Sequence, residues 1–222
     1  MIPALLFLVL TRVGLRKRTA SAVSYDEVRG FAERGVQIPY SFPVVAIYWT
    51  LGALALLFFL SIMVASALIL ADGRIALDSF FLFVAGLGVS IYLLWFVLDG
   101  LRGKLARGVI ALTPTGVYHR SWSFQSYAPW DSVMDVHAAE ADGPLIELLV
   151  TANGGSWHER TSVLWRQEEW SLAPHLAIRG RWLSVDPALL YHALRYYHAH
   201  PEARLELGTP AGAQRISEAR VV

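Results

Sequence analysis

The sequence predicts an α+β protein in which a two-helix transmembrane hairpin precedes an antiparallel sheet and a C-terminal helix. The 222-residue chain is 55% hydrophobic and only 17% charged, whereas soluble domains average about 25% charged residues. Of its 19 basic and 18 acidic residues, only Asp72, Arg74 and Asp78 lie between residues 35 and 98. After residue 107 the chain changes to short β-type runs separated by turn residues. This segregation indicates a membrane part and a separate aqueous part.

Residues 1–40 are expected to form an interfacial and juxtamembrane segment. The apolar run Ile2–Leu10 is too short to span a bilayer, and the basic cluster follows it rather than preceding it as in a secretory signal. We expect the run to enter the headgroup boundary while the cluster faces anionic lipid. Packing against the protein's own hairpin, disorder and a mis-assigned start codon remain alternatives. Residues 21–37 predict a short helix and a turn. The basic cluster comprises Arg12, Arg16, Lys17 and Arg18.

Residues 41–101 are expected to form the hairpin. Two uncharged runs, Phe42–Leu70 and Ser79–Leu98, are each long enough to cross a hydrocarbon layer of about 30 Å. Ser41 is a suitable N-cap, and Pro43 falls in the first turn, where its missing N–H is tolerated. The polar connection 72–78 is so short that the two helices must pack side by side. Small residues in both runs would allow close packing, or would serve a partner membrane protein instead.

The distribution of basic residues predicts an inner-membrane, multi-pass protein with both termini in the cytoplasm. Basic residues are frequent on the cytoplasmic side of membrane spans, and here they flank the hairpin while its turn contains only Arg74. The flanking residues are Arg12, Arg16, Lys17, Arg18, Arg29 and Arg34 before the first run, and Arg102, Lys104 and Arg107 after the second.

Asp99 is the acidic residue that follows the second run. A carboxylate near membrane depth can act in a proton relay, but Asp99 lies at the helix end, where Arg102 three residues later can pair with it. We therefore expect an interfacial ion pair. Neither run contains an Asp, Glu, Lys, Arg or His residue, so an ion pathway within one copy has no support.

Residues 108–207 are expected to form a cytoplasmic domain that begins as a strand meander. Turn signals at residues 113–116, 142–144 and 153–155 separate the strands. Two further strands are expected at 162–165 and 181–185. The first four strands are expected at 109–113, 116–121, 132–138 and 145–151.

A C-terminal helix is expected over Ala188–Ala199, with Asp186 as its N-cap and Pro187 at the first helical position. The helix should end before Pro201. Residues 202–207 would be a short extension, and residues 208–222 a polar tail. The residues expected to face the sheet are Leu189, Leu190, Ala193, Leu194 and Tyr197.

Two sequence segments carry a family resemblance. The hairpin-forming run Val109–Tyr118 and the run Ala128–Val136, which begins Ala-Pro-Trp-Asp, resemble bacterial pleckstrin-homology-like (PH-like) domains that follow a two-helix membrane hairpin. Beyond Asn153 the chain departs from that pattern. The resemblance implies a barrel-like sheet plugged by a C-terminal helix, and a role in membrane-associated binding or assembly. The C-terminal segment also resembles tails of actinobacterial membrane proteins.

The sequence contains no pattern that indicates catalysis, a cofactor or a metal site. The absence of cysteine excludes disulfides, thiolate metal sites and cysteine nucleophiles. None of the seven histidines has the spacing of a helical zinc site. His158 and Glu159 beside Ser156 lack a nucleophile elbow and a third triad member. A formal net charge of +1 gives no field that would attract nucleic acid.

The candidate contact residues for lipid or a partner are tryptophans and basic residues. Trp130 is expected in the core, whereas three other tryptophans form an exposed patch or else pack at the rim of the core. The basic residues either set topology or bind headgroups. The candidates are Arg16, Lys17, Arg18, Arg102, Lys104, Arg107, Trp157, Trp165 and Trp170.

The sequence thus favours a non-enzymatic, membrane-anchored binding or scaffold module, an accessory subunit of a larger membrane complex. Its expected partners are membrane lipids and either a membrane protein or a second copy of the chain. The alternative function is an anionic-lipid-sensing PH-like module that uses the basic clusters. A membrane enzyme is a third reading.

Overall fold

The computed structural model describes residues 22–28, 31, 33–73, 77–141, 143–151, 154–165 and 167–221. Internal contacts divide the chain into two units, residues 1–44 with 106–222 and residues 45–105. We call the first the sheet unit and the second the helix unit. The predicted interfacial run Ile2–Leu10 and its basic cluster lie outside the described residues.

The helix unit consists of two long apolar helices, and this prediction is confirmed. Helix α1 covers Phe42–Ala71, and α2 covers Leu77–Leu101. Both are long and apolar enough to cross a membrane, and few of their residues are buried. At about 1.5 Å per residue, each exceeds the roughly 30 Å of a hydrocarbon core. Length, composition and exposure together suggest membrane association.

Glycines allow the two helices to pack closely, as predicted from their small residues. A Cβ atom at Gly52 would lie 2.7 Å from the Phe96 ring, and one at Gly86 would lie 3.3 Å from Met63. Nothing lies within 4 Å of such an atom at Gly88. Gly52 and Gly86 therefore face the neighbouring helix, whereas Gly88 does not.

Asp99 is 1% exposed near the end of α2. The sequence predicts Arg102 as its partner, but the structure places Lys104 Nζ 3.8 Å from Asp99 Oδ1. The chain reverses at Gly103, whose φ is +73°, and the Lys104 amide donates to the Asp99 carbonyl oxygen at 2.9 Å. This reversal brings Lys104 beside the carboxylate.

The sheet unit contains two antiparallel sheets. The larger has the order β1-β2-β3-β4-β5-β8 and the smaller has the order β6-β7-β9. Among the described residues they remain two separate sheets, without the closed barrel that the resemblance implies. The strands are β1 (Ser24–Glu27), β2 (Arg34–Pro39), β3 (Val109–Leu112), β4 (Gly116–Arg120), β5 (Phe124–Pro129), β6 (Val133–Glu140), β7 (Pro144–Val150), β8 (Trp157–Arg160) and β9 (Leu176–Arg179).

Strands β1 and β2 replace the short helix and turn predicted over residues 21–37, and that prediction is wrong. Strand β2 pairs with β3, which follows the helix unit, in a register that places Val36 opposite Leu112 and Ile38 opposite Ile110. All four side chains are fully buried. The sheet unit is therefore built from both sides of the hairpin, because the N-terminal strands find their partner only after α2.

The C-terminal helix α3 covers Pro187–Ala199, and its predicted cap is confirmed because Asp186 Oδ1 accepts from the Ala188 amide at 2.9 Å. It packs on β6 and β7. Trp130 is in the core as predicted, and its Nε1 donates to the Thr113 carbonyl oxygen at 2.8 Å. Of the helix residues expected to face the sheet, Leu189 is partly buried and the others are fully buried: Leu190, Ala193, Leu194 and Tyr197.

Several other local predictions need correction. The strands expected at 162–165 and 181–185 are absent, and the nearest strand, β9, ends before the second of these segments. A short 3-10 helix at Gly180–Trp182 occupies its start. The expected polar tail contains helix α4 (Pro210–Ser217), in which Ile216 is fully buried. The four strands expected between residues 109 and 151 are confirmed as β3, β4, β6 and β7.

Candidate functional site

Both connections to the helices emerge at one end of the sheet unit. The Tyr40 amide donates to the Gly108 carbonyl oxygen at 2.8 Å, and the Ser41 amide donates to the Trp182 carbonyl oxygen at 2.7 Å. Arg107 Nε donates to the Tyr40 carbonyl oxygen at 2.7 Å. We call this region the junction end, comprising residues 40–42, 106–108, 121–123, 161–165, 167–172 and 179–184. It holds the chain where it leaves for α1 and where it returns from α2.

A buried pair, Tyr40 and His119, lies at the junction end. Their side chains hydrogen-bond through Tyr40 Oη and His119 Nε2 at 2.8 Å. The Trp182 ring stacks on Tyr40 at 6.4 Å, and Phe124 meets the imidazole edge to face. His119 Nδ1 is buried and has no hydrogen-bond partner among the described residues. The pair links the end of β2 to β4, two strands away in the sheet.

Burial controls the charge of this pair. Removal of His119 from water, helped by nearby His158, lowers the pKa of the imidazole to about 3. Burial also raises the pKa of Tyr40 above its ordinary value, although a hydrogen bond with Ser121 acts to lower it. Both groups are therefore neutral near pH 7. A neutral, enclosed pair is suited to holding strands together and poorly suited to exchanging protons with a substrate.

Polar side chains extend from the pair along the β4–β5 turn. Gln167 Oε1 accepts from Ser121 Oγ at 2.8 Å and from the Ser123 amide at 3.3 Å. His158 bonds Ser126 Oγ through Nδ1 at 2.8 Å, and its Nε2 bonds a carbonyl oxygen of the loop before β9. The Gln167 contacts tie the segment after β8 to the turn between β4 and β5, and the His158 contacts join β8 to β5 and to the loop before β9.

Arg179 supplies the charged part of the junction end. Its Nε lies 2.5 Å from Glu169 Oε1, and its Nη2 lies 2.5 Å from Glu168 Oε2. Arg179 and Glu169 are both buried, so each compensates the other's charge in a poorly solvated site. The pair anchors the 3-10 helix Glu168–Leu172 to the end of β9.

The junction end does not have the composition of a metal centre. Among the described residues, no three His, Asp or Glu side chains are grouped so that they could hold a metal ion. Most of the polar side-chain atoms described above instead bond to one another and to the backbone. The arrangement is that of a structural network beneath a surface.

The three candidate tryptophans do not form one patch. Trp157 packs with Tyr118 and Tyr127 on the outer face of the larger sheet. Trp170 contacts Phe124, and the Arg160 guanidinium lies 4.7 Å from its ring centroid. All three tryptophans are half-buried. Their partial burial agrees with packing at the rim of the core rather than with an exposed patch. Trp165 lies on the loop after β8.

The candidate basic residues are also dispersed. Arg102 and Lys104 are exposed after α2, and Lys104 is the partner of Asp99. Arg107 is exposed, with its guanidinium 5.8 Å from the centroid of the Phe42 ring. Arg16, Lys17 and Arg18 lie outside the described residues.

Sequence reasoning missed Tyr40, His119, Glu169 and Arg179. One signal could have placed His119: in β4 it alternates with Tyr118 and shares the inward face of Val117, which belongs to the core. The other three are brought together by contacts between distant segments, which local patterns do not reveal.

A second candidate surface lies beside the smaller sheet. Strand β6 is the end strand of that sheet, and most of its residues are exposed. A groove of about 280 Å³ runs between the β6–β7 hairpin and the start of α3. Its lining is largely apolar and includes Ala138, Ala139, Leu145, Pro187 and Tyr191.

Comparison of the chain with protein-family models, curated proteins and solved structures gave no match.

Proposed function

We propose that the chain is a membrane-anchored, non-enzymatic binding module, an accessory subunit of a larger membrane complex. The observation that carries this proposal is the pairing of β2 with β3 across the two apolar helices. An anchor joined to a sheet by a single linker could be lost without damage to the sheet. Here the sheet is built from chain on both sides of the anchor, as suits a module that works at the membrane.

The same pairing supports a two-crossing topology. Pro39 lies opposite Val109 in the ladder, so the chain must return from the helices to the side of the membrane from which it left. Two crossings satisfy this requirement, and the excess of basic residues around the hairpin favours the cytoplasmic side of the inner membrane.

The groove beside β6 supports a protein as partner. An end strand presents unpaired backbone N–H and C=O groups, and an extended segment of another protein can pair with them. The apolar lining from Ala139 and Tyr191 would accept side chains of that segment. A second copy of the chain is one form that this partner can take.

Two antiparallel sheets with α3 packed on β6 and β7 are compatible with the proposed PH-like relationship. The Val109–Tyr118 run forms the β3–β4 hairpin, and Trp130 begins the short helix before β6. Both segments that carry the resemblance therefore lie in the sheet unit.

Co-purification of the full-length chain from its own membranes in mild detergent tests the proposal. We expect one protein to co-purify in a constant ratio, to be lost with Ala139→Arg and to be retained with Leu205→Arg, which alters an exposed residue outside the groove. The proposal is overturned if the chain purifies alone and the purified sample turns over a substrate.

Anionic-lipid sensing is a second candidate, favoured by the exposed cations that follow α2. Arg102→Gln combined with Lys104→Gln should reduce the phosphatidylglycerol retained by the purified chain relative to phosphatidylcholine, measured by native mass spectrometry. Arg195→Gln, on α3, is the matched control. Unchanged retention in the double variant would contradict this candidate.

A further inference from the structure

The loop that follows β8 exposes two adjacent aliphatic side chains. Val163 is 78% exposed and Leu164 is 43% exposed. Both lie in the sheet unit, in which most large aliphatic residues are buried in the core. Exposed apolar side chains are unremarkable singly, but an adjacent pair beside tryptophans marks a contact surface.

Hydrogen bonds hold this loop at both ends. The Thr161 and Ser162 amides donate to the Ser123 carbonyl oxygen at 2.9 and 3.3 Å. At the other end, Gln167 Oε1 accepts from Ser121 Oγ. Ser162 is 1% exposed. The loop is therefore fixed to the β4–β5 turn, and Val163 and Leu164 project into solvent from between these hydrogen bonds.

The β4–β5 turn is also bonded to the chain that returns from α2. The Trp122 carbonyl oxygen accepts from the Ala106 amide at 3.2 Å. On the outgoing side, Trp182 accepts from Ser41, the residue before the first residue of α1. The exposed loop thus shares the junction end with both connections to the apolar helices.

The side chains at the junction end have the chemistry of a membrane–water interface. Trp122, Trp165 and Trp182 are half-buried there, and tryptophan is enriched at interfaces because its ring is apolar and its N–H is polar. Two arginines lie beside aromatic rings: Arg107 over Phe42, and Arg181 at 5.3 Å from the Trp182 ring centroid. Cations in such places can meet lipid phosphates.

We propose that Val163 and Leu164, with Trp165 beside them, insert into the interfacial layer of the bilayer that α1 and α2 cross. The junction end is then a lipid-contacting surface that fixes the sheet unit against the membrane. The inference rests on the membrane insertion assumed in the proposed function, and the occupant of the surface is lipid rather than protein.

Single-cysteine labelling tests this proposal because the natural chain contains no cysteine. The full-length variants Val163→Cys, Leu205→Cys and Leu57→Cys are each labelled with an environment-sensitive fluorophore and reconstituted into phosphatidylcholine nanodiscs containing brominated acyl chains. Leu57 is 64% exposed in the middle of α1 and reports membrane insertion.

Leu205 is the matched control, since it is 76% exposed but lies in the 3-10 helix Pro201–Gly208. That helix ends against Pro114 in the β3–β4 turn, at the opposite end of β4 from the loop. We expect bromolipid to quench the Val163 label at least about twofold more than the Leu205 label, and to quench the Leu57 label most strongly.

Equal, weak quenching at Val163 and Leu205 with strong quenching at Leu57 would overturn the lipid contact and leave the membrane anchor intact. Weak quenching at all three positions would overturn the membrane insertion itself, and with it the proposed function. Cysteine at an exposed position is compatible with the fold, and unchanged tryptophan emission of the unlabelled variants verifies this.

Discussion

The amide of Tyr40 donates to the carbonyl oxygen of Gly108 at 2.8 Å, although α1 and α2 separate the two residues in the chain. The bond continues the β2–β3 ladder to the point where the chain departs for α1. It places Tyr40 so that its hydroxyl reaches His119. One backbone contact therefore connects the start of the hairpin to the buried polar network of the junction end.

Removal of the Tyr40 hydroxyl should weaken the sheet unit. Tyr40→Phe leaves His119 Nε2 buried without this partner, so we expect a loss of about 1–3 kcal/mol in the free energy of unfolding. This change in the free energy of unfolding is measured by denaturing the full chain in detergent and monitoring tryptophan fluorescence. Tyr191→Phe removes an exposed hydroxyl that accepts from Arg195 at 3.3 Å and should change stability by less than about 0.5 kcal/mol. Equal losses of stability in the two variants would show that the buried hydrogen bond contributes no more than the exposed one.

His119 should make stability depend on pH below neutrality. Its pKa is lowered to about 3 by burial, whereas an unfolded histidine titrates near 6.5. Between these values the unfolded chain binds a proton that the folded protein does not, so stability falls as pH falls from about 6.5 towards 3, by at most about 1.4 kcal/mol per pH unit.

The variant His119→Gln should reduce the dependence of stability on pH between about pH 6.5 and 5. Thermal unfolding midpoints in detergent, recorded across this pH range, measure that dependence. Tyr40→Phe keeps the imidazole buried, so it should lower the midpoint at every pH while the slope remains. A wild-type slope unaltered in His119→Gln would assign the acid sensitivity to other groups.

The helix–helix contact should depend on Gly86. Gly86→Leu places a side chain against Met63 and the Phe59 carbonyl oxygen, 3.3 Å from the Cβ position, and overpacking of this kind costs about 1–3 kcal/mol. Gly88→Leu enters open space on the same helix and gains equally in helix propensity. Unfolding in a graded detergent mixture, followed by circular dichroism, should therefore separate the two variants. Similar unfolding curves for the two variants would contradict the close packing of Gly86 against α1.

The N-terminal strands should contribute to the stability of the sheet unit. Ile38 is fully buried on β2, so Ile38→Ala is expected to cost about 2–4 kcal/mol. Arg34→Ala changes an exposed residue of the same strand and should have little effect. A peripheral juxtamembrane segment, as the sequence suggested, would make both substitutions harmless in the same denaturation assay.

Local sequence patterns predicted the parts of the fold that are determined by residues close together in the chain. The uncharged runs predicted α1 and α2, because an apolar run of that length is long enough to cross a bilayer as a helix. Asp186 and Pro187 predicted the start of α3, because a side-chain cap and a preset φ act within one helical turn. Trp130 was also predicted in the core, where it is 2% exposed.

Patterns failed where the stabilising partner is distant in the chain. Val36 and Ile38 lie in a polar, charged segment and become strand residues only because β3 supplies their backbone partners. The same limitation hid the candidate site. Tyr40, His119 and Glu169 come from three segments, and only the β4 alternation of Val117 and His119 carried a local signal.

The insertion of α1 and α2 between neighbouring strands has a consequence for biosynthesis. Strand β2 leaves the ribosome first and cannot be completed until β3 follows, after both apolar helices have been synthesised. If both helices cross the bilayer, a chain that inserted only one would leave β2 and β3 on opposite sides of the membrane. Completion of the sheet would then act as a proofreading step for membrane insertion, since a chain with only one helix inserted could not bury Ile38 against Ile110.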